Sequence, residues 1–214
     1  MSGLIRTILC LLLAFCLTAG AADGDRVLKD IKSRYAGSEA WRIAFEHECL
    51  WKDEGVSTSD SGRLLLQQKA FRVDLAGQHL LSDGKTLWRW HDEGGQVLVE
   101  TLGQTEDVIL PQQLLVELDQ RFKAGTAQAP EQNRRIVPLT PRGDSQFMQD
   151  VTLEASRTQG AWQLEVLSYE DIQGNRHSYR LQDRQGWSRA SLPDSLGAAF
   201  HFELPVGFEL IDLR

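Results

Sequence analysis

The chain predicts an α+β protein built on one antiparallel sheet of about nine to eleven strands. Three observations carry this. From Trp41 to Trp51 apolar and polar residues alternate with period two, the mark of a half-buried antiparallel strand. Asp83-Gly84 and Gly94-Gly95 are two-residue turn signals set among apolar residues, as a β-meander requires. Helical spacing is confined to two short segments, one near the start and one in the middle.

The elements follow in order. Arg6 precedes an apolar run from Thr7 to Thr18, and Ala19-Gly20-Ala21-Ala22 follows. Residues 1–21 therefore read as a secretory signal peptide, cut after Ala21 or Ala22, with 22–214 as one domain. Phe15 just before Cys16 is too bulky for lipoprotein processing, so lipidation is not expected. Cleavage removes Cys10 and Cys16 and leaves Cys49 without a disulfide partner. The formal net charge of -7 gives no basic footprint for nucleic acid and no attraction to anionic headgroups.

Asp25 to Tyr35 spaces Val27, Leu28, Ile31 and Tyr35 as a short amphipathic helix. Next come the strand Trp41–Trp51, a polar turn region from Lys52 to Gly62, and strands at Arg63–Leu66 and Ala70–Leu75. Centring a turn on Asp83-Gly84 pairs Leu81 with Thr86 and Leu80 with Leu87. Centring another on Gly94-Gly95 pairs Trp90 with Val99 and Arg89 with Glu100. Leu81, Trp88, Trp90, Val97 and Val99 then share one face, while Leu80 and Leu87 occupy the other. Pro111 to Phe122 has a helical stripe through Leu114, Leu115, Leu118 and Phe122. Ala124 to Arg135 reads as a loop. Strands are expected at Ile136–Leu139, Gln146–Ala155, Ala161–Tyr169, His177–Gln182 and Ala199–Glu203, with a turn at Gly174-Asn175.

Chemistry is sparse. The chain contains no G-x-S-x-G elbow, phosphate loop or H-E-x-x-H. His47 and Cys49 share a strand face, but among aromatic residues, so a core role outweighs a metal or nucleophilic one. Asp92-Glu93 and Glu106-Asp107 suit solvated turns. No catalytic residue, metal or cofactor is expected, and the chain reads as a non-enzyme. The apolar excess is the stronger signal: Trp41, Phe45, Trp51, Phe71, Trp88, Trp90, Trp162 and Phe202 on a sheet large enough to curl. Such a sheet either fills its inside or holds an apolar ligand, and composition leaves both open.

The order of motifs resembles the periplasmic outer-membrane lipoprotein carrier family, usually called LolA. The resemblance rests on Trp41-Arg42-Ile43-Ala44-Phe45, on the segments from Gly62 to Val73, and on Leu81-Ser82-Asp83-Gly84-Lys85-Thr86-Leu87-Trp88. It continues through Pro111-Gln112-Gln113-Leu114-Leu115, Val137-Pro138-Leu139-Thr140-Pro141 and Asp171-Ile172-Gln173-Gly174-Asn175 to the segment from Phe200 to Phe208. It implies an incomplete, open β-barrel with a helical lid over an apolar cavity. It also implies a periplasmic monomer that shields acylated lipoproteins, or a related lipid. Such a carrier takes its cargo from an inner-membrane ABC transporter and passes it to an outer-membrane acceptor. On that reading Phe71, Val73, Leu81, Trp88, Trp90, Val97, Val99, Leu114, Leu115 and Leu118 include the lipid-binding lining, with the concave face left open. Where the family carries an Arg-Pro pair whose Arg helps hold the lid, this chain has Gln68 and Lys69, with Lys69 or Arg72 as substitutes. The alternative is a regulatory module of the same half-barrel fold that senses lipids or lipoproteins. A secreted hydrolase on an unrelated β fold is the third reading.

Overall fold

A computed structural model describes residues 23–103, 114–143 and 148–214. Helix α1 spans 23–36. Strands β1 (Ala40–Trp51), β2 (Val56–Gln67), β3 (Ala70–Leu75), β4 (Gln78–Ser82), β5 (Thr86–His91) and β6 (Gln96–Thr101) follow as one meander. A short helix α2 (Leu118–Arg121) leads into β7 (Phe122–Ala124), β8 (Gln128–Glu131) and β9 (Arg134–Pro141). Strands β10 (Gln149–Thr158), β11 (Ala161–Glu170), β12 (Arg176–Trp187) and β13 (Glu209–Asp212) complete the sheet.

All thirteen strands belong to one sheet of order β13-β6-β5-β4-β3-β2-β1-β12-β11-β10-β9-β7, with β8 paired to β9. Two antiparallel runs therefore meet where β1 pairs with β12. The path ends at β13 and β7 and does not close, so the sheet is an open half-barrel. The long central strands alternate cleanly. Trp41, Ile43, Phe45 and Cys49 of β1 are buried, whereas Arg42, Glu46 and Glu48 are exposed.

Helix α1 plugs one end of the concave face. Val27, Leu28, Ile31 and Tyr35 bury fully and cluster with Trp41, Ile43, Leu118, Phe122, Val137 and Leu153. Burial of each aliphatic side chain contributes about 1.5–3 kcal/mol, more than an isolated helix this short supplies from propensity. Polar ties fix its position. The Trp41 indole N–H donates to the Tyr35 carbonyl at 2.9 Å. Lys32 Nζ meets Asp119 Oδ2 at 2.9 Å and so joins α1 to α2.

The strand β2 begins at Val56 instead of Arg63, and only residues 52–55 turn. Its polar first half is held by its partner: Ser57 Oγ donates to Glu48 at 2.8 Å and Ser59 Oγ to Glu46 at 3.1 Å. Composition conceals a strand of that kind. Gly62 faces Phe45 directly, and a Cβ there would collide with the Phe45 ring.

Both hairpins of the meander differ in register from the two-residue turns. Ser82 pairs with Leu87 and Leu81 with Trp88, so the loop is longer. The Asp83 carboxylate organises it, accepting from Lys85 N at 2.9 Å and Thr86 N at 2.8 Å. In the second hairpin Trp88 pairs with Val99 and Trp90 with Val97. Both shifts are by two residues, so every side chain keeps its expected face. Arg89 and Glu100 still meet, now diagonally, with Nε and Oε2 2.7 Å apart.

The expected helix 111–122 lies partly outside the described residues, which resume at 114. Within them it is broken at 116–117, and Phe122 already belongs to β7. The expected loop at Ala124–Arg135 contains β8 and the start of β9. The expected strand at Ala199–Glu203 is instead the end of a 3₁₀ turn, Asp194–Phe200, and an irregular strap. The chain then closes with β13, which runs parallel to β6. We expect Ile31→Ala to lower stability by about 2–5 kcal/mol, measured by urea unfolding, because Ile31 has no exposure and its cavity would lie between α1 and the sheet.

Candidate functional site

Beyond the α1 plug the two arms of the half-barrel stand apart and enclose a cavity of about 760 Å³. One arm supplies Leu64, Val73, Leu75, Leu80, Arg89 and Leu98 from β2 to β6; the other supplies Leu164, Leu167, Tyr169, Tyr179 and Leu181 from β11 and β12. Phe45 lies between the arms, and Leu114 and Leu115 add to the wall. The lining follows from strand parity. Residues opposite Leu80 and flanking Leu87 point inward, which makes Arg89 and Leu98 neighbours in the wall. The mouth lies on the side of the turn at 92–95, where Gln78, His91 and Gln96 are exposed.

The concave side is therefore the face of Leu80, Leu87 and Leu98. Of the residues expected to line a cavity, Val73, Leu114 and Leu115 do so, and Trp90 contributes at the mouth. Phe71 and Leu118 are fully buried in the core at the plugged end. Leu81, Trp88, Val97 and Val99 lie on the opposite, convex face, where the strap reaches Trp88. Phe202 stacks on Trp88 with ring centroids 5.0 Å apart and meets Trp90 edge-on at 6.1 Å. Leu196 and Phe200 pack on Ala40, Leu65, Ala70 and Trp187. Sequence reasoning passed over Leu64, Leu75, Leu80, Arg89, Leu98 and the whole β11–β12 wall. The signal for the first group was present in the parity of the meander, which the tryptophans overshadowed. For the second wall, nothing in the chain order announces that β12 returns to β1.

The lid-Arg candidates are elsewhere. Gln68 has φ of 54° in the β2–β3 turn, and its amide donates to Glu39 at 2.9 Å. Lys69 borders a separate hollow with Asp83, Lys85 and Glu117. Arg72 pairs with Asp74 at 3.0 Å.

On the β12 side the wall ends in a polar aromatic stack. The ring of Tyr179 lies 4.5 Å from that of His47, which stacks on His177 at 5.3 Å, and His47 Nε2 is 3.0 Å from His177 Nδ1. Burial, then the neighbouring His177, pushes the His47 imidazole below its ordinary value despite Asp60. Burial also raises the Tyr169 and Tyr179 phenols, which therefore stay uncharged. Burial by itself would raise Asp171. The hydrogen bonds it accepts from Asn175, His177 and Gln173 outweigh that and bring its carboxyl down to about 2. The turn at 171–175 is thus wound on one carboxylate. Among the described residues no group of three or more His, Cys, Asp or Glu side chains is placed to hold a metal ion, and the Cys49 thiol is raised by burial.

No protein-family profile matches this chain, and no curated protein matches it in sequence. Several solved structures are similar. A LolA superfamily protein from Nitrosomonas europaea has 12% identity and a TM-score of 0.46, over 81% of this chain and 96% of that one. A putative outer membrane lipoprotein-sorting protein domain from Vibrio parahaemolyticus has 9% identity and a TM-score of 0.43, over 82% of this chain and 98% of that one. MucB in complex with MucA has 11% identity and a TM-score of 0.37, over 88% of this chain and 62% of that one. The open half-barrel expected from the motif order is the architecture the chain adopts. No residue role passes from those proteins to this chain.

A folded-state pKa below the ordinary carboxylate value means that ionised Asp171 stabilises the fold at neutral pH. That contribution is lost as pH falls from about 4 toward about 2. Asp171→Ala should cost about 1.5–3 kcal/mol at neutral pH. Its deficit against the unaltered protein should shrink across that acid window, measured by unfolding at a series of pH values.

Proposed function

We propose that this chain is a periplasmic carrier that shields the acyl chains of lipoproteins, or of a related lipid, by reversible burial and without bond chemistry. Residues 1–21 would direct export, and residues 22–214 would form the carrier. The carrying observation is the cavity itself: about 760 Å³ walled by Leu64, Val73, Leu80, Leu98, Leu167 and Leu181 between arms that do not close on each other. An apolar wall of this size facing water is costly unless something apolar occupies it.

The energetics match the task. Each buried methylene contributes about 0.8 kcal/mol, so an acyl chain of about sixteen carbons gains roughly 13 kcal/mol on leaving water. Release then needs an acceptor that offers equal burial. In this reading an inner-membrane ABC transporter supplies the cargo and an outer-membrane acceptor receives it. The protein works as a monomer whose arms part at small cost. Among the described residues no helix is long and apolar enough to cross a membrane, as a shuttle between two membranes requires.

The test is to purify the exported protein, identify bound molecules by mass spectrometry, and deplete it in its host. Bound acyl lipid together with lipoproteins stranded at the inner membrane supports carriage. Bound lipid without any sorting defect would move the reading to a lipid-sensing module, and an empty cavity would sink both. Leu80→Asp or Leu98→Asp should reduce bound lipid at least about tenfold, since a carboxylate would replace an apolar contact in the wall. Phe202→Ala, on the opposite face, should lower the melting temperature and leave cargo retention unchanged.

A further inference from the structure

The cavity wall is apolar in its depth and polar at its mouth, and the polarity is of a particular kind. Gln78 and Gln96 present exposed amides there, and Tyr169 and Tyr179 contribute phenols that burial keeps uncharged. Among the described lining residues, Arg89 carries the permanent charge. Its guanidinium is already engaged by Glu100: Nη2 donates to Oε1 at 3.1 Å, and Nε lies 2.7 Å from Oε2 in the ion pair. His79, the next cationic candidate, has a carboxylate on each ring nitrogen: Asp74 at 2.7 Å and Asp92 at 2.9 Å. Arg72 is committed to the same Asp74.

Glu100 thus offsets Arg89 on the concave face, Arg72 and Asp74 form their pair on the other face of the same strands, and His91 Nδ1 accepts from Glu93 N at 3.2 Å. A phosphate or carboxylate arriving with an acyl chain would lose water and find no surplus positive charge. A quaternary ammonium would find its carboxylates already occupied. A glyceryl, ester or sugar group would need only the amide and hydroxyl partners that the mouth offers.

We propose that the cavity selects an acyl chain borne on an uncharged, hydroxyl- or ester-bearing head group, held chain inward with the head group beside Gln78 and Gln96. This rests on the acyl-burial reading above and adds the chemical class and orientation of the ligand.

The experiment uses the mature protein and three lauroyl-length probes below their micelle concentrations: monolaurin, laurate and dodecyltrimethylammonium. Binding is measured by calorimetry at mildly alkaline pH, where laurate is ionised. Monolaurin should bind at least about tenfold more tightly than either charged probe. Equal affinities, or tighter binding of laurate or the ammonium, would overturn the selectivity while leaving acyl burial intact. Failure of all three to bind would remove the acyl-burial reading and this inference with it. Glu100→Gln provides a second readout, because it removes one negative charge beside Arg89 without shortening a side chain. In this variant laurate should gain several-fold over monolaurin, and an unchanged ratio would show that the Arg89–Glu100 pair does not set the preference. Thermal unfolding of the variant confirms that the comparison is between folded proteins.

Discussion

The structure depends on one constraint: strands β4 to β6 carry large apolar side chains on both faces. A sheet of that kind cannot stand in water on either side. The convex face is covered within the chain, by the strap that lays Phe202 on Trp88 and seats Leu196 and Phe200 beside Ala40 and Leu65. Among the described residues the concave face is covered at one end, where α1 inserts Val27, Leu28, Ile31 and Tyr35. What neither element reaches is the cavity. Its existence is the remainder after two covers have been fitted to a surface that needed more.

The sheet can present such a surface because its edges are managed. At one end β13 pairs parallel with β6, with Glu209 N donating to Gly95 O and Leu213 N to Val99 O, both at 2.9 Å. At the other, β7 and β8 both pair with β9. Short terminal strands satisfy the backbone without extending the curl to closure. The two arms are held together at their base by the β1–β12 and β1–β2 ladders, the longest in the sheet. Polar groups in the wall are paired or kept neutral, so the cavity remains apolar in character despite Arg89, Tyr169 and Tyr179.

Much of this was legible in the sequence, and the failures have physical causes. The β1 alternation and the α1 stripe were plain because one face of each is buried and the other wet. The meander's faces survived a two-residue error in both turns because strand periodicity is blind to even shifts. The first half of β2 was hidden because Ser57 and Ser59 are stabilised by Glu48 and Glu46 on another strand, a contact that local propensity does not contain. The end of the 3₁₀ turn Asp194–Phe200 was read as the start of a strand, Ala199–Glu203, for a related reason. Its apolar residues pack sideways onto β1, β2 and β3 instead of joining a ladder.

The sequence by itself determined which side chains travel together: Trp88 with Trp90, Val97 and Val99, and Leu80 with Leu87. Periodicity is a local property, and it settles the partition of residues into faces. Only the tertiary structure decided that the leucine face is the concave one. That choice depends on the direction of sheet curl, on β12 returning to pair with β1, and on where α1 and the strap come to rest. Those are contacts between segments far apart in the chain, and the free energy that selects them is surface burial summed over the whole sheet.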